Sequence, residues 1–123
     1  MVRKKILLVD DASTILMVER MILNRGPYDL VTARDGREAV AKAESEHPDL
    51  ILMDVIMPHM NGFEACRALR SRASTQAIPI IMVTTRAESE SLETGYESGC
   101  TDYVTKPIDS TELLTKVRSY LGE

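Results

Sequence analysis

Four apolar runs of this chain each end in a polar residue that could handle a phosphoryl group. These residues are the pair Asp10 and Asp11, then Asp54, Thr84 and Lys106. If the runs are parallel strands, their carboxyl ends meet at one edge of one sheet, which is where ligand sites form in open α/β folds. Carboxylates, a hydroxyl and an ammonium group at that edge predict a site for phosphoryl transfer.

The three aspartates also predict a bound cation. Carboxylates that are brought close together repel each other, which raises their pKa values and destabilises the fold unless a cation is present. Oxygen ligands at an open edge suit Mg²⁺, whereas the His and Cys ligands expected for Zn²⁺ are missing from the pattern. Asp54 is the candidate nucleophile because it stands alone after the central run, while Lys106 and Thr84 supply a positive charge and a hydroxyl for the phosphoryl oxygens.

Each of these residues also has a purely structural interpretation. An Asp pair after a strand often caps a helix, a Lys before Pro is often a solvated loop residue, and a Thr at a strand end is common. Their joint occurrence at the ends of successive runs is harder to explain by structure alone, and it favours a functional site.

The elements that must position these residues alternate regularly along the chain. Short β-branched runs predict strands near residues 5–9, 30–33, 50–53, 80–84 and 102–105. Helical periodicity predicts five helices: near 13–24, from 35 to an exit at 47–48, after 61–62, near 88–97, and from 109 or 110 onward. Asp35 and Glu38 resemble a capping box at the start of the second helix. Five βα units predict a doubly wound α/β sheet in a single domain over residues 1–123.

The composition fits one such domain. A chain of 123 residues with 44% hydrophobic residues can bury a sizeable core, and a net charge of −4 without a basic block argues against direct nucleic-acid binding. The first apolar stretch is too short for a signal peptide and no run approaches a membrane span, so we expect a cytoplasmic protein without membrane insertion. Cys66 and Cys100 match no metal-ligand spacing and are expected to be buried or idle thiols.

Two of the predicted helices differ in their apolar surface. The fourth offers little beyond Leu92 and Tyr96, so we expect weak packing and an easily shifted position. The first carries more apolar residues than one buried stripe requires: Ile15, Leu16, Met17, Val18, Met21, Ile22 and Leu23. The surplus either forms a docking patch or consists of single exposed side chains and contacts with the last helix.

The motifs resemble the receiver domain of two-component response regulators over residues 5–121. The motifs that carry this resemblance are Asp10-Asp11, Asp54 followed by Met57-Pro58 and Asn61-Gly62, Thr84 after an apolar strand, and Lys106-Pro107. The resemblance implies a flavodoxin-like sheet of strand order 2-1-3-4-5 with helices on both faces. It also implies a cis peptide bond between Lys106 and Pro107.

The resemblance implies a role for each site residue. Asp54 would accept a phosphoryl group from the phosphohistidine of a histidine kinase or of a histidine phosphotransfer protein, and Lys106 would contact the phosphorylated carboxylate. Thr84 would move toward the phosphoryl group while Tyr103 turns inward. The implied ligands of Mg²⁺, for which Mn²⁺ could substitute, are the carboxylates of Asp10, Asp11 and Asp54 and the backbone carbonyl of Ile56.

We expect the protein to act as a signalling switch and not as an enzyme that turns over a substrate. Phosphorylation adds charge and hydrogen-bond acceptors, so we expect the fourth helix, fifth strand and fifth helix to form a face that binds a downstream protein. Tyr103 would report the state, unless it is a static, half-buried strand tyrosine. Ile56 and Arg86 offer no group that orients an attacking water, and Thr85 narrows the approach, so autodephosphorylation should be slow.

Three other classes of protein share parts of this pattern. A phosphatase of the haloacid dehalogenase type needs a second acid at position 56, which is Ile56 here. A nucleotide or flavin binder should have a Gly-rich loop after the first strand, where this chain has Asp10-Asp11-Ala12-Ser13. A pseudo-receiver, which docks partners without being phosphorylated, stays open as the alternative, although all the chemical positions are present. The chain ends just after the fifth helix, so we expect a stand-alone regulator or a receiver cut from a longer protein.

Overall fold

Five strands form one parallel sheet in a computed structural model that describes residues 3–85 and 97–123. The strands are β1 (Lys4–Val9), β2 (Tyr28–Ala33), β3 (Leu50–Asp54), β4 (Ile80–Thr84) and β5 (Asp102–Thr105). Their order is β2-β1-β3-β4-β5, which confirms the order that the family resemblance implied. The reversal of strand order between β1 and β3 puts the ligand-binding crevice at the carboxyl ends of these two strands.

The central strands are apolar throughout because both of their faces are covered. Every residue of β3 and β4 is buried, whereas the edge strands β2 and β5 keep several partly exposed positions. Leu8 pairs with Leu52 and Val9 with Met53, so β1 and β3 run in register to their ends. The next residue of β1's chain, Asp10, therefore comes level with Asp54.

Helices cover both faces of this sheet. In the described residues they are α1 (Ser13–Leu23), α2 (Gly36–Glu46), α3 (Gly62–Arg70) and a C-terminal helix (Ser110–Tyr120). The apolar sides of α1 and the C-terminal helix share one buried cluster with one face of the sheet, and α2 and α3 share a second cluster with the other face. The helix predicted near 88–97 lies almost wholly outside the described residues.

Side-chain caps explain where three of these helices begin. Asn61 and Glu64 form a complete capping box at α3, and Asp109 accepts a hydrogen bond from the backbone N–H of Glu112. Asp35 caps α2 in the same way, with Oδ1 2.8 Å from the N–H of Glu38. The reciprocal half of the predicted box at α2 is different, because the Glu38 carboxylate accepts from the N–H of Arg34 at 3.3 Å.

The predicted strand and helix ends differ from the observed ones by one or two residues. β2 begins at Tyr28, two residues before the prediction, because Tyr28 pairs with Lys4 and its buried ring reaches Glu123 through the hydroxyl at 2.7 Å. β1 begins at Lys4, and β3 runs one residue further than predicted, so that Asp54 is its last residue.

The cysteines are free and buried, as the sequence predicted. Burial raises the pKa of the Cys66 thiol to about 11 and also raises that of Cys100, so both are weak nucleophiles. Among the described residues, none of the helices has the length and apolar character that crossing a membrane requires.

Candidate functional site

Three carboxylates meet at the carboxyl edge of the sheet, where the sequence predicted a site. Asp10 follows β1, Asp54 ends the neighbouring β3, and Asp11 is the next residue toward α1. One oxygen from each carboxylate lies within 4.8 Å of the others. Asp10 and Asp54 are buried while Asp11 is exposed, so the cluster opens to solvent on the side of Asp11.

Lys106 brings a positive charge into this cluster. Its ammonium nitrogen lies 3.0 Å from Oδ1 of Asp54 and 3.6 Å from Oδ2 of Asp10. The backbone N–H of Lys106 donates to the carbonyl of Thr84 at 2.7 Å, which holds the end of β5 beside the end of β4. The Lys106-Pro107 peptide bond is cis, as the resemblance implied.

The acid cluster has the properties of a site for a small, hard divalent cation. Burial raises the pKa of the Asp10 carboxyl against the lowering effects of the Ala12 N–H and of Lys106. Oδ1 of Asp10 accepts from that N–H at 2.9 Å, whereas its buried Oδ2 has no hydrogen-bond partner. The three carboxylates and the single Lys106 ammonium group leave a net negative charge in the cluster. The atoms that could bind a metal ion are all oxygen, so these residues fit Mg²⁺ or Mn²⁺.

The loop after β3 is tightly packed against the backbone of Asp54. The N–H of Gly62 donates to the carbonyl of Val55 at 2.8 Å, and a Cβ on Gly62 would lie 2.3 Å from the carbonyl oxygen of Asp54. Glycine is therefore required where α3 begins. Within this loop the side chain of Ile56 is 64% exposed. The role of its backbone carbonyl toward a cation stays a prediction.

Thr84 and Tyr103 lie on the neighbouring strands β4 and β5. Thr84 is buried and its hydroxyl donates to the carbonyl of Thr85 at 3.2 Å. Tyr103 is partly buried, packs against the core on the α2 and α3 side, and has the ammonium nitrogen of Lys116 5.1 Å from its ring centre. The movements of Thr84 and Tyr103 that the resemblance implies stay predictions.

Glu19 is a buried acid that the sequence analysis did not identify, and the charges of the site residues act on it. It is 1% exposed and lies on the inner side of α1 between Leu16 and Ile22. Burial raises its pKa to about 8, and the charge of Asp10 contributes in the same direction. The signal was available, because a 3.6-residue period places position 19 on the same helix face as the apolar residues 16, 22 and 23.

The outer side of α1 is an exposed apolar surface close to the aspartate pair that precedes this helix. Met17 is 55% exposed, Met21 66% and Val18 39%, which confirms that α1 carries more apolar residues than it buries. The guanidinium of Arg34 reaches the backbone carbonyl of Asp11 at 2.9 Å and lines a groove of about 380 Å³ beside these methionines. Use of this surface as a docking patch stays a prediction.

Sequence comparison gives a match over nearly the whole chain. A family model described as the response regulator receiver domain matches residues 6–118. Protein PilH of Pseudomonas aeruginosa is 39% identical over 118 residues, which cover 96% of this chain and 98% of PilH. The alkaline phosphatase synthesis transcriptional regulatory protein PhoP of Bacillus subtilis is 42% identical over 118 residues, but this chain spans about half of its length, 48%.

Solved structures are similar over the same extent. Chemotaxis protein CheY4 of Vibrio cholerae matches with a TM-score of 0.89 and 36% identity, covering 97% of this chain and 99% of its own. The receiver domain of sensor histidine kinase PA1611 from Pseudomonas aeruginosa matches with a TM-score of 0.91 and 31% identity, covering 99% and 100%. That receiver was solved with a magnesium ion coordinated in its active site cleft.

Proposed function

This chain belongs to the family of response regulator receiver domains, and from that membership we propose that Asp54 is the phospho-acceptor of a two-component phosphorelay. The donor is a phosphohistidine on a histidine kinase or on a histidine phosphotransfer protein. A carboxylate oxygen of Asp54 attacks the phosphorus atom, the bond from phosphorus to the imidazole nitrogen breaks, and the imidazole leaves. The product is an acyl phosphate on Asp54.

One observation carries this proposal: a buried carboxylate at the crevice has a lysine and two further carboxylates around it. Asp54 is 4% exposed, and Lys106 lies 3.0 Å from its Oδ1 atom. A lone buried carboxylate would be costly and poorly placed for chemistry, whereas this arrangement positions and partly neutralises it. Phosphoryl transfer depends mainly on such positioning and charge neutralisation.

The carboxylates of Asp10, Asp11 and Asp54, with the backbone carbonyl of Ile56, are the residues that would hold Mg²⁺ or Mn²⁺. When bound, the ion neutralises negative charge on the phosphoryl oxygens and on the carboxylates. The magnesium-bound receiver from Pseudomonas aeruginosa supports this assignment by similarity.

The lysine and the threonine act on the product. Lys106 keeps its ammonium group beside the Asp54 carboxylate and contacts the phosphorylated form. Thr84 turns its hydroxyl toward the phosphoryl oxygens and leaves its bond to the carbonyl of Thr85. A phosphorylated state that gains such hydrogen bonds is favoured over the resting state, which is how modification biases the fold.

The protein is a signalling switch that catalyses only its own phosphoryl transfer and a slow autodephosphorylation. Residues 1–123 act as one receiver domain in the cytoplasm, where histidine kinases are phosphorylated. The output face consists of the predicted fourth helix, β5 and the C-terminal helix, and it binds a downstream protein. Tyr103 lies on β5 within that face and reports the state.

Intact-mass spectrometry tests the proposal. Wild type and Asp54→Asn are incubated with a small acyl phosphate donor and Mg²⁺, with Asp29→Asn as a control for loss of one exposed carboxylate on β2. We expect a single phosphoryl adduct on wild type and on the control, and none on Asp54→Asn. An adduct on Asp54→Asn, or on none of the three proteins, would overturn the proposal, and the second result would favour a pseudo-receiver.

A further inference from the structure

Two buried carboxylate oxygens have no hydrogen-bond partner in the part of the chain that the structure describes: Oδ2 of Asp10 and Oε1 of Glu19. Both residues are 1% exposed. Buried polar atoms are nearly always paired with a donor, an ordered water or an ion, because leaving them unpaired costs free energy. Near Oδ2 of Asp10 lies the ammonium group of Lys106, at 3.6 Å, which is too far for a hydrogen bond. Each of the two oxygens therefore has room for a further partner, and one buried water could serve both.

The fold places Glu19 and Asp10 on the same face of the sheet. Leu16 and Ile22, one turn to either side of Glu19, belong to the core cluster that also contains Leu8 of β1. Because side chains alternate across a strand, Asp10 lies on the same face of the sheet as Leu8. Helical side chains lean toward the N-terminus of their helix, and α1 begins at Ser13, directly after the aspartate pair.

The charges that act on Glu19 agree with this placement. They are those of Asp10, Lys106 and Asp54, in decreasing order of effect. Burial, and after it Asp10, raises the pKa of Glu19 to about 8. A carboxyl group that is neutral near pH 7 has an O–H and can donate a hydrogen bond as well as accept one.

We propose that Glu19 is a positioning residue of the cation site, which holds one buried water in hydrogen-bonding contact with Oδ2 of Asp10. This inference rests on the proposed function, because it assigns Glu19 to the same cation site. The Ala12 N–H already holds Oδ1 at 2.9 Å, so the two contacts together fix the orientation of the Asp10 carboxylate. The ammonium group of Lys106, 3.6 Å from Oδ2, gives the water a third polar neighbour, within the usual range for buried waters.

Partners of this kind have a known effect on metal sites. Groups that hydrogen-bond to a ligating carboxylate keep it in its binding orientation, and their loss typically weakens metal affinity about 10- to 100-fold. The proposal therefore predicts an effect on affinity for the ion alone, without any phosphoryl transfer.

The test compares Glu19→Gln, which keeps a donor of similar shape, with Glu19→Leu, which fills the space without polar atoms. Mg²⁺ is titrated into each unphosphorylated protein by calorimetry, with Glu46→Gln as a control for loss of a distant charge. We expect Glu19→Leu to bind Mg²⁺ roughly tenfold more weakly, while Glu19→Gln and the control bind as wild type does. If Glu19→Leu does not fold, Glu19→Met replaces it.

Two results would overturn this inference. Equal weakening in Glu19→Gln and Glu19→Leu would mean that Glu19 acts as a negative charge and not as a hydrogen-bonding partner of a water. Wild-type affinity in both would mean that Glu19 is only a buried side chain. Both differ from failure of the proposed function, in which wild type itself would take no phosphoryl group on Asp54.

Discussion

The ammonium nitrogen of Lys106 lies 3.0 Å from Oδ1 of Asp54 and donates a hydrogen bond to it across the end of β4. The two side chains are 21% and 6% exposed, so water screens their interaction only in part. Lys106 thus contacts two of the three clustered carboxylates, those of Asp10 and Asp54. The lysine therefore stabilises the fold, whatever its part in the proposed chemistry.

Replacing Lys106 with methionine should destabilise the metal-free protein. Removing one partner of a buried ion pair leaves an uncompensated charge, and after allowing for partial exposure we expect a loss of about 2 kcal/mol in the free energy of unfolding. Mg²⁺ should then stabilise the variant more than it stabilises wild type, since the ion replaces the missing charge. Urea denaturation with a chelator and with Mg²⁺ measures both quantities. Lys42→Met, which removes a half-exposed lysine on α2, is the control, and equal stability of the two variants would contradict the argument.

Replacing Gly62 with alanine should disturb the backbone of Asp54. The new Cβ would lie 2.3 Å from the carbonyl oxygen of Asp54 and 2.7 Å from the Cε atom of Met82. The methionine can move, but the carbonyl belongs to a strand that is hydrogen-bonded on both sides, so we expect a loss of roughly 2–3 kcal/mol in unfolding free energy. Thermal or urea unfolding measures it.

Ser110→Ala is the matched control for Gly62→Ala, because Ser110 is also the first residue of a helix that follows a side-chain cap. Its substitution should change stability by less than about 0.5 kcal/mol. If Gly62→Ala were as stable as this control, the close approach of α3 to Asp54 would be wrong.

The fold and the acid cluster could be predicted because they depend on strong local patterns. Apolar runs that end in polar residues located β1, β3 and β4, and parallel strands bring such ends to one edge whatever the details of packing. The strand order came from the family resemblance and not from periodicity. Asp10, Asp11, Asp54 and Lys106 were all predicted, and the structure brings them together.

Features that depend on three-dimensional packing were harder to predict. Burial of Glu19 is hard to predict because a glutamate in a surface helix is usually exposed, and only its place on the buried face of α1 shows otherwise. The early start of β2 depends on the pairing of Tyr28 with Lys4 and on burial of the Tyr28 ring, whose hydroxyl reaches Glu123 at the other end of the chain. Of the capping box predicted at α2, the Asp35 half is confirmed and the reciprocal half is wrong, because Glu38 accepts from the N–H of Arg34, one residue before the position that a capping box uses.

Replacing Ile56 with asparagine should shorten the lifetime of the phosphorylated protein. The side chain at this position is 64% exposed, two residues after Asp54, and a carboxamide there could orient an attacking water where isoleucine cannot. We expect hydrolysis to become roughly tenfold faster, which is less than a general base contributes, because a carboxamide can orient the water but cannot take its proton. Decay of the phosphoryl adduct by intact mass in Mg²⁺ measures this rate. The adduct on Ile56→Leu should decay as fast as the adduct on wild type. A wild-type adduct that lasts only seconds would contradict the prediction.

Lys116 should hold Tyr103 in its resting position. Its ammonium nitrogen contacts the carbonyl of Tyr103 at 2.5 Å and Oδ1 of Asp102 at 3.2 Å, and it lies 5.1 Å from the centre of the Tyr103 ring. Lys116→Met removes these contacts and should cost about 1 kcal/mol of unfolding free energy. It should also move the ring resonances of Tyr103 toward those of wild type with a phosphoryl mimic. Thr115→Ala, an exposed neighbour on the same helix, should move neither; unchanged ring resonances in Lys116→Met would favour a static tyrosine.

Stability of the metal-free protein should fall as the pH rises, because of Glu19. Its pKa is raised from 4.5 in the unfolded chain to about 8 in the folded protein, mainly by burial. Between these values the folded state holds a proton that the unfolded state has lost, so the free energy of unfolding decreases with pH, by up to about 1.4 kcal/mol per pH unit. The contribution of Glu19 to the free energy of unfolding is therefore fully present below pH 4.5, and it is lost as the pH rises toward 8. The raised pKa of Asp10 acts with the same sign.

Glu19→Gln isolates the contribution of this one group, since glutamine does not titrate while the other acids remain. Urea unfolding of both proteins across this pH range, with a chelator present, should show wild type losing stability relative to the variant as the pH rises. Parallel curves for the two proteins would mean that Glu19 keeps an ordinary pKa in the fold. A relative gain by wild type would mean that its folded pKa is lowered, which requires the carboxylate to be paired with Lys106 instead of facing Asp10 as a neutral group.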